Sequence, residues 1–176
     1  MALTELSSVL WRERDVMEVL WFKLEEERLL LEAGAWGWLG HSSREMETVV
    51  DELGDLELSR AVAVAAGAAE LDLPPDVGLQ RLAAAARPPC SAVLDGHFKA
   101  LRRLADGVLA LAEGNRPLLE EGAAEVRRQL EAAAEPSARL LLEIAGFDAA
   151  LATNRRVLQP SLVEALGAEP APPLSW

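Results

Sequence analysis

Residues that could carry chemistry are few in this chain, and they lie far apart. The nearest approach to an acid–base pair is Asp95 and His97, which one glycine separates. The other histidine, His41, has no partner at the spacing of a metal site, and the single cysteine, Cys90, follows a proline with no base nearby. No Glu-x-x-His pair of the kind that di-iron helical bundles use occurs. The sequence therefore predicts no catalytic residue, no metal ligand and no cofactor.

Three glycines, Gly34, Gly37 and Gly40, stand three residues apart and could suggest a phosphate-binding loop. Such a loop follows a β-strand and carries a Lys and a Ser or Thr at fixed places. This segment follows no strand and lacks those residues, so the end of a helix and a turn is the better interpretation.

Composition and charge exclude several classes of protein. The 176 residues are 51% hydrophobic and carry a net charge of -12, which argues against binding to nucleic acid or to an anionic membrane. The acidic residues Glu5, Glu13 and Asp15 are wrong for a signal peptide, and no apolar run is long enough to span a membrane. With one cysteine and no possible internal disulfide, we expect a cytoplasmic protein.

The elements that must position any site begin with a long helix over residues 2–33. Apolar residues recur every seven positions along it, which places them on one seam that must pack against another helix: Leu3, Leu10, Met17, Leu24 and Leu31. After a turn at residues 34–41, Ser42 and Glu45 form a capping-box pattern that predicts the start of a second helix, ending near Leu71. Together these two helices predict a long antiparallel hairpin.

The middle of the chain predicts a short connecting helix and a third long helix. Asp76 is the expected cap of the short helix, which runs to about residue 86, and the long helix begins near Ser91. Its apolar seam reaches Asn115, a polar residue that can fix register at a cost in stability, so replacement by Leu is expected to stabilise the bundle. Pro117 predicts either a kink or a restart capped by Asn115.

The last third predicts C-terminal helices and a tail. Ser137 should cap a fourth helix, and Ser161 with Glu164 should open a short last helix that Gly167 closes. The fold class is thus an all-α antiparallel helical bundle, with residues 1–167 as a single domain and residues 168–176 as a Pro-rich flexible tail.

With this architecture in place, three stretches resemble the FlgN family of flagellar export chaperones, in particular its actinobacterial members. They are residues 6–15 with 22–27, residues 115–122 and residues 156–162. The second stretch is similar to the family's Asn-Arg-x-Leu-Leu pattern through the motif residues Asn115, Arg116, Leu118 and Leu119. It departs from the family at Pro117, which puts the straightness of the third helix in doubt.

The resemblance implies a cytoplasmic chaperone without catalysis. Such a protein binds hook-filament junction proteins of the FlgK and FlgL type, prevents their premature assembly and delivers them to the flagellar export gate. It also implies that the C-terminal part contacts the client, through Leu140, Ile144, Phe147, Leu151, Val157, Leu158, Leu162 and Val163. The competing interpretation is that these residues close the chain's own core. The alternative function is a structural helical module that self-associates through its coiled-coil seams, and the oligomeric state is open.

Overall fold

The described part of the chain, residues 1–159 of a computed structural model, folds into α-helices and one short 3₁₀ helix without any strand. The prediction of an all-α fold is confirmed. The predicted helix after Ser161 and the predicted tail at 168–176 lie outside the described residues. The α-helices are α1 (Ala2–Glu32), α2 (Leu39–Glu70), α3 (Leu79–Ala85), α4 (Cys90–Ala132) and α5 (Ala138–Val157), and the 3₁₀ helix is Trp36–Trp38.

Two predicted helix caps are wrong. The second helix begins at Leu39 because the 3₁₀ helix leads directly into it: the backbone N–H of Leu39 donates to the carbonyl of Trp36. Ser42 is therefore a buried residue within α2. Asp76 does not cap α3, whose N-cap is Gly78 in an extended conformation with no side-chain hydrogen bond. A capping pattern describes only local residue types, and here the preceding turn decided where each helix starts.

Helix α4 passes through Pro117 without a break, so the predicted restart at Asn115 is wrong. Proline removes one backbone donor and crowds the carbonyl four residues earlier. Both Pro117 and Glu113 are exposed, so water can bind the carbonyl that loses its partner. The predicted cap of the fourth helix is confirmed, because the Ser137 hydroxyl accepts a hydrogen bond of 3.3 Å from the backbone N–H of Leu140.

The contacts within the described residues divide into two compact units. Unit 1 contains Met1–Met17 and Glu52–Asp106, and unit 2 contains Glu18–Asp51 and Gly107–Leu158. Helices α1, α2 and α4 contribute residues to both units. The assignment of residues 1–167 to a single domain stays a prediction.

Unit 1 joins α1 and α2 as an antiparallel pair, as the hairpin prediction requires. The N-terminal ammonium group lies 3.1 Å from the carboxylate of Glu70, at the far end of α2. Between the seam residues Leu10 and Met17, Glu13 on α1 forms an ion pair of 3.2 Å with Arg60 on α2, and both side chains are buried. The apolar core of this unit contains fully buried leucines from α1, α3 and α4: Leu6, Leu10, Leu82, Leu94 and Leu101.

Unit 2 packs α5 against α1, α2 and α4 around one apolar cluster. Its fully buried members include Leu39, Leu119 and Phe147. The 3₁₀ helix contacts α5 and places Trp36 against this cluster. In the same unit, Lys23 on α1 forms an ion pair with Glu45 on α2, which continues the antiparallel pairing.

Glycines on α4 and α5 mark places where bulky groups approach the helix backbone. A Cβ atom at Gly107 would lie 2.0 Å from the indole of Trp21, and one at Gly122 would lie 2.4 Å from the ring of Phe147. A Cβ at Gly146 would lie 2.9 Å from the backbone nitrogen of Gly40, so α2 and α5 nearly touch. Each pair requires the glycine because no side chain fits between the partners.

We predict that Gly107→Ala lowers the stability of the protein, because the new methyl group overlaps the Trp21 ring. Overpacking of this kind costs about 1–3 kcal/mol. Gly96→Ala is the matched control on the same helix, since nothing lies within 4 Å of its Cβ position. The control should gain roughly 0.5–1 kcal/mol from helix propensity alone. Urea unfolding followed by circular dichroism measures both, and stabilisation of both variants would contradict the packing.

Candidate client-binding surface

Helix α5 covers the core of unit 2 with one face. Leu140, Phe147, Ala150 and Val157 are buried along it. The Phe147 ring meets the Trp36 indole edge to face, with 5.4 Å between the ring centroids. This face supplies most of the apolar contact that holds α5 in place.

Polar bonds fix the position of α5 on its neighbours. The amide of Asn154 donates a buried hydrogen bond of 2.8 Å to the backbone carbonyl of Ala112 on α4. The guanidinium of Arg156 binds the carboxylate of Asp51 on α2 at 2.6 Å. This exposed ion pair contributes little to stability because water competes for both partners. The buried amide of Asn154 is therefore the contact that fixes the position of α5.

The opposite side of α5 leaves two large apolar side chains in solvent. Leu141 is 52% exposed and Leu142 is 61% exposed. Trp38, on the 3₁₀ helix that contacts α5, is also exposed. Sequence reasoning assigned neither leucine to the client site, although the signal was present. Successive residues on a helix turn by about 100°, so three leucines in a row cannot all face one core.

The predicted client-binding residues divide into three groups. Leu140, Phe147 and Val157 are buried, whereas Ile144, Leu151 and Leu158 are partly buried. Four of these six pack into the same core cluster, namely Leu140, Ile144, Phe147 and Leu151. Leu162 and Val163 lie outside the described residues. A client can contact the buried residues only after α5 leaves the core, so their assignment to client binding stays a prediction.

The motif residues of α4 serve packing within unit 2. Asn115 is fully buried, and its amide nitrogen donates to the carbonyl of Leu24 at 2.8 Å and to the carboxylate of Glu27 at 3.0 Å. Leu119 is also fully buried, whereas Leu118 is partly buried and the exposed Arg116 pairs with Glu120 on its own helix. The role of Glu27 was missed, because its partner is distant in sequence.

Glu27 is an acid in an apolar environment. It is 1% exposed. Burial raises the pKa of its carboxyl from 4.5 to about 7, and the hydrogen bond from Asn115 partly opposes this shift. The amide oxygen of Asn115 is itself buried without a hydrogen-bond partner. Asn115 and Glu27 therefore form a specific contact between α1 and α4, and ionisation of the buried Glu27 carboxyl lowers the stability of the fold as the pH rises.

Asp95, His97 and Cys90 do not form a catalytic site in unit 1. His97 contacts the Ser7 hydroxyl at 3.1 Å, and burial lowers its pKa. Its second ring nitrogen has no partner, so no carboxylate orients the imidazole as a hydrolytic triad requires. Asp95 pairs with Lys99 instead, and Cys90 is a free thiol.

Residues 1–159 also lack a metal-binding cluster and a membrane-spanning helix. No three His, Cys, Asp or Glu side chains in this part of the chain come together as a metal site would require. None of its helices is both long and apolar enough to cross a membrane.

Comparison with known proteins gives one result. A family model described as FlgN protein matches residues 1–145 of the chain. The match ends within α5, so it includes Leu140 and Ile144 but stops short of Phe147. No curated protein and no solved structure is similar enough to the chain to count as a match.

We predict that Glu27→Gln removes a pH-dependent loss of stability. Because the folded-state pKa of about 7 lies above the ordinary 4.5, the folded protein holds this proton more tightly than the unfolded chain. The stabilisation is complete below about pH 4.5 and is lost as the pH rises through 7. Between pH 5 and pH 8 the wild type should lose about 2.5 kcal/mol from this group, and the variant should not. Urea unfolding at both pH values measures the difference. Glu25→Gln, at an exposed neighbour, should behave as wild type.

We predict that Asn115→Leu destabilises the protein at pH 8, which reverses the expectation from the apolar seam. The leucine cannot donate to Glu27, which is largely charged at that pH. A lost hydrogen bond to a charged group costs about 1.5–3 kcal/mol. In a Glu27→Gln background this penalty should become smaller and independent of pH. Higher stability of Asn115→Leu at pH 8 would show that the seam interpretation was right after all.

Proposed function

This chain belongs to the FlgN family of flagellar export chaperones, and we propose that its clients are hook-filament junction proteins of the FlgK and FlgL type. In this proposal it works in the cytoplasm, binds the helical end of a client, prevents premature assembly and delivers the client to the export gate. The observation that carries the proposal is the pair of exposed leucines on α5, Leu141 and Leu142. They form an exposed apolar surface on the helix to which the family resemblance assigns client binding.

Capture of a helix by an apolar surface explains how this geometry would work. An amphipathic client helix buries its apolar face against the leucines in this proposal. Full burial of an exposed leucine contributes about 1.5–3 kcal/mol, and here roughly half of each side chain remains to be buried. The leucine pair can thus contribute a substantial part of the free energy of a micromolar complex.

The inner face of α5 offers a second stage of binding. Phe147 and Val157 are buried in the free chain, and a client could reach them if α5 undocked. Undocking would expose this face and break the hydrogen bond from Asn154 to Ala112, so it needs compensation from the client. We therefore propose that the exposed leucines make the first contact and that the inner residues follow.

The alternative function, self-association through the coiled-coil seams, is less well supported. The seam residues Leu10, Met17 and Leu24 are buried within the chain. A second copy could reach them only if the helices separated. The surface that remains is acidic, with a net charge of -12 over the whole chain, and like charges oppose association.

We predict that Leu141→Asp with Leu142→Asp weakens binding of a FlgK- or FlgL-type protein by more than about tenfold, which corresponds to 1.4 kcal/mol. Both side chains are exposed, so helicity should not change. The matched control is Phe22→Asp with Leu29→Asp, an exposed apolar pair on α1, which should keep full affinity. Co-purification and titration calorimetry with the client from the same genome measure the effect.

Two outcomes of the binding experiment would contradict the proposal. If the wild type binds neither protein, the proposed function is wrong. If the variant with Leu141→Asp and Leu142→Asp binds the client normally, the client surface lies elsewhere.

Phe147→Asp should instead lower the melting temperature sharply, because it places a charge in the core of unit 2.

A further inference from the structure

Unit 1 contains an open groove that the proposed client site on α5 does not use. It has a volume of about 410 Å³ and lies between one face of α2 and the segment that leads into α3. The wall from α2 includes Leu58, Ala61 and Val64, and the opposite wall includes Val77 and Leu79. The side chain of Leu58 is 71% exposed.

The groove is a formed feature because both walls are anchored. Val77 and Leu79 are buried in unit 1. The backbone N–H of Val77 donates to the carbonyl of Pro74, which closes the turn before α3. Ala61 is small and exposed, so a partner backbone can approach α2 closely at this point. A groove that exists before binding requires little ordering when a partner enters.

The charged side chains that line the groove are two carboxylates and one guanidinium. Glu57 and Asp76 both line it, and within residues 1–159 neither carboxylate forms an ion pair. The cation in the lining is Arg60, whose guanidinium already binds the buried carboxylate of Glu13 at 3.2 Å. Burial raises the pKa of Glu57, with Arg60 partly opposing the shift. A cation brought by a partner would relieve the desolvated charge at this site.

This charge pattern separates the possible occupants. Residues 160–176 of the chain carry two glutamates and no Lys or Arg, so they offer no cation to the groove. A second copy of the chain brings a net charge of -12. Nucleic acid and anionic lipid would meet the two free carboxylates with further negative charge. A protein segment that combines an apolar side chain with a cation satisfies both features of the groove.

We propose that this groove is a second docking site for the client, which receives an amphipathic helix with a Lys or Arg one turn from an apolar side chain. The apolar side chain enters between Leu58 and Val77, and the cation lies between Glu57 and Asp76. This inference rests on the proposed function for the identity of the partner, but it concerns a different surface from α5. It predicts a contact that depends on salt, because the carboxylate of Asp76 is exposed.

The test measures binding of the same FlgK- or FlgL-type client by titration calorimetry at 50 mM and 500 mM salt, with full-length variants. Leu58→Ser with Val64→Ser, both in the α2 wall of the groove, should weaken binding by at least about tenfold. Asp76→Lys should weaken it by about fivefold at the lower salt and by less than about twofold at the higher salt, since screening reduces the repulsion. Asp55→Lys makes the same charge change on the exposed side of α2, outside the groove, and should change affinity by less than about twofold.

Each outcome decides the inference. Equal effects of Asp76→Lys and Asp55→Lys would show a general field effect and overturn it. Full affinity of the Leu58→Ser, Val64→Ser variant would also overturn it. If Leu141→Asp with Leu142→Asp still weakened binding in that case, the proposed function would stand without the second docking site. Should the serine variant lose helicity, Ala61→Trp replaces it, because it fills the groove from an exposed position and should block binding equally. A wild type that binds no client overturns both proposals.

Discussion

A buried amide hydrogen bond between α4 and α1 organises unit 2. Seams made of leucine and alanine can slide by a turn and still bury apolar surface, so they specify register weakly. Asn115 removes this freedom, because its amide must reach the carbonyl of Leu24 and the carboxylate of Glu27. Asn154 repeats the arrangement one helix further on, where its amide binds the carbonyl of Ala112. Three helices are thus held in one register by two side chains.

The close contacts of unit 2 follow from this register. Trp21 lies over Gly107 and Phe147 lies over Gly122, and in both places a methyl group would overlap a ring. A shift of one residue along α4 would present a side chain instead of bare backbone to each ring. The aromatic and glycine positions therefore fit only in the register that the buried amides select, so specificity and dense packing come from the same arrangement.

Helix α5 carries both buried and exposed apolar residues. Its inner face completes a core, and its outer leucines, which we propose as the first client contact, are exposed. The buried amide and one buried face hold it, while its ion pairs to α2 and α4 lie in solvent and add little. Such a helix can be well ordered alone and still exchange its contacts at moderate cost. In the second docking site that we propose, the acidic groove of unit 1, charge would select the partner and apolar area would hold it.

The sequence by itself determined the helices, most of their ends and the seam that α1 buries, because these depend on the local period of apolar residues. It also identified Asn115 as a polar residue on a seam, but not the hydrogen bond to Glu27, 88 residues away, on which our opposite prediction for its stability rests. Only the tertiary structure decided that Ser42 lies within a helix, that Phe147 is core while Leu141 is exposed, and that α2 and the turn before α3 enclose a groove. These features depend on which segments meet in space, and local periodicity carries no information about distant partners.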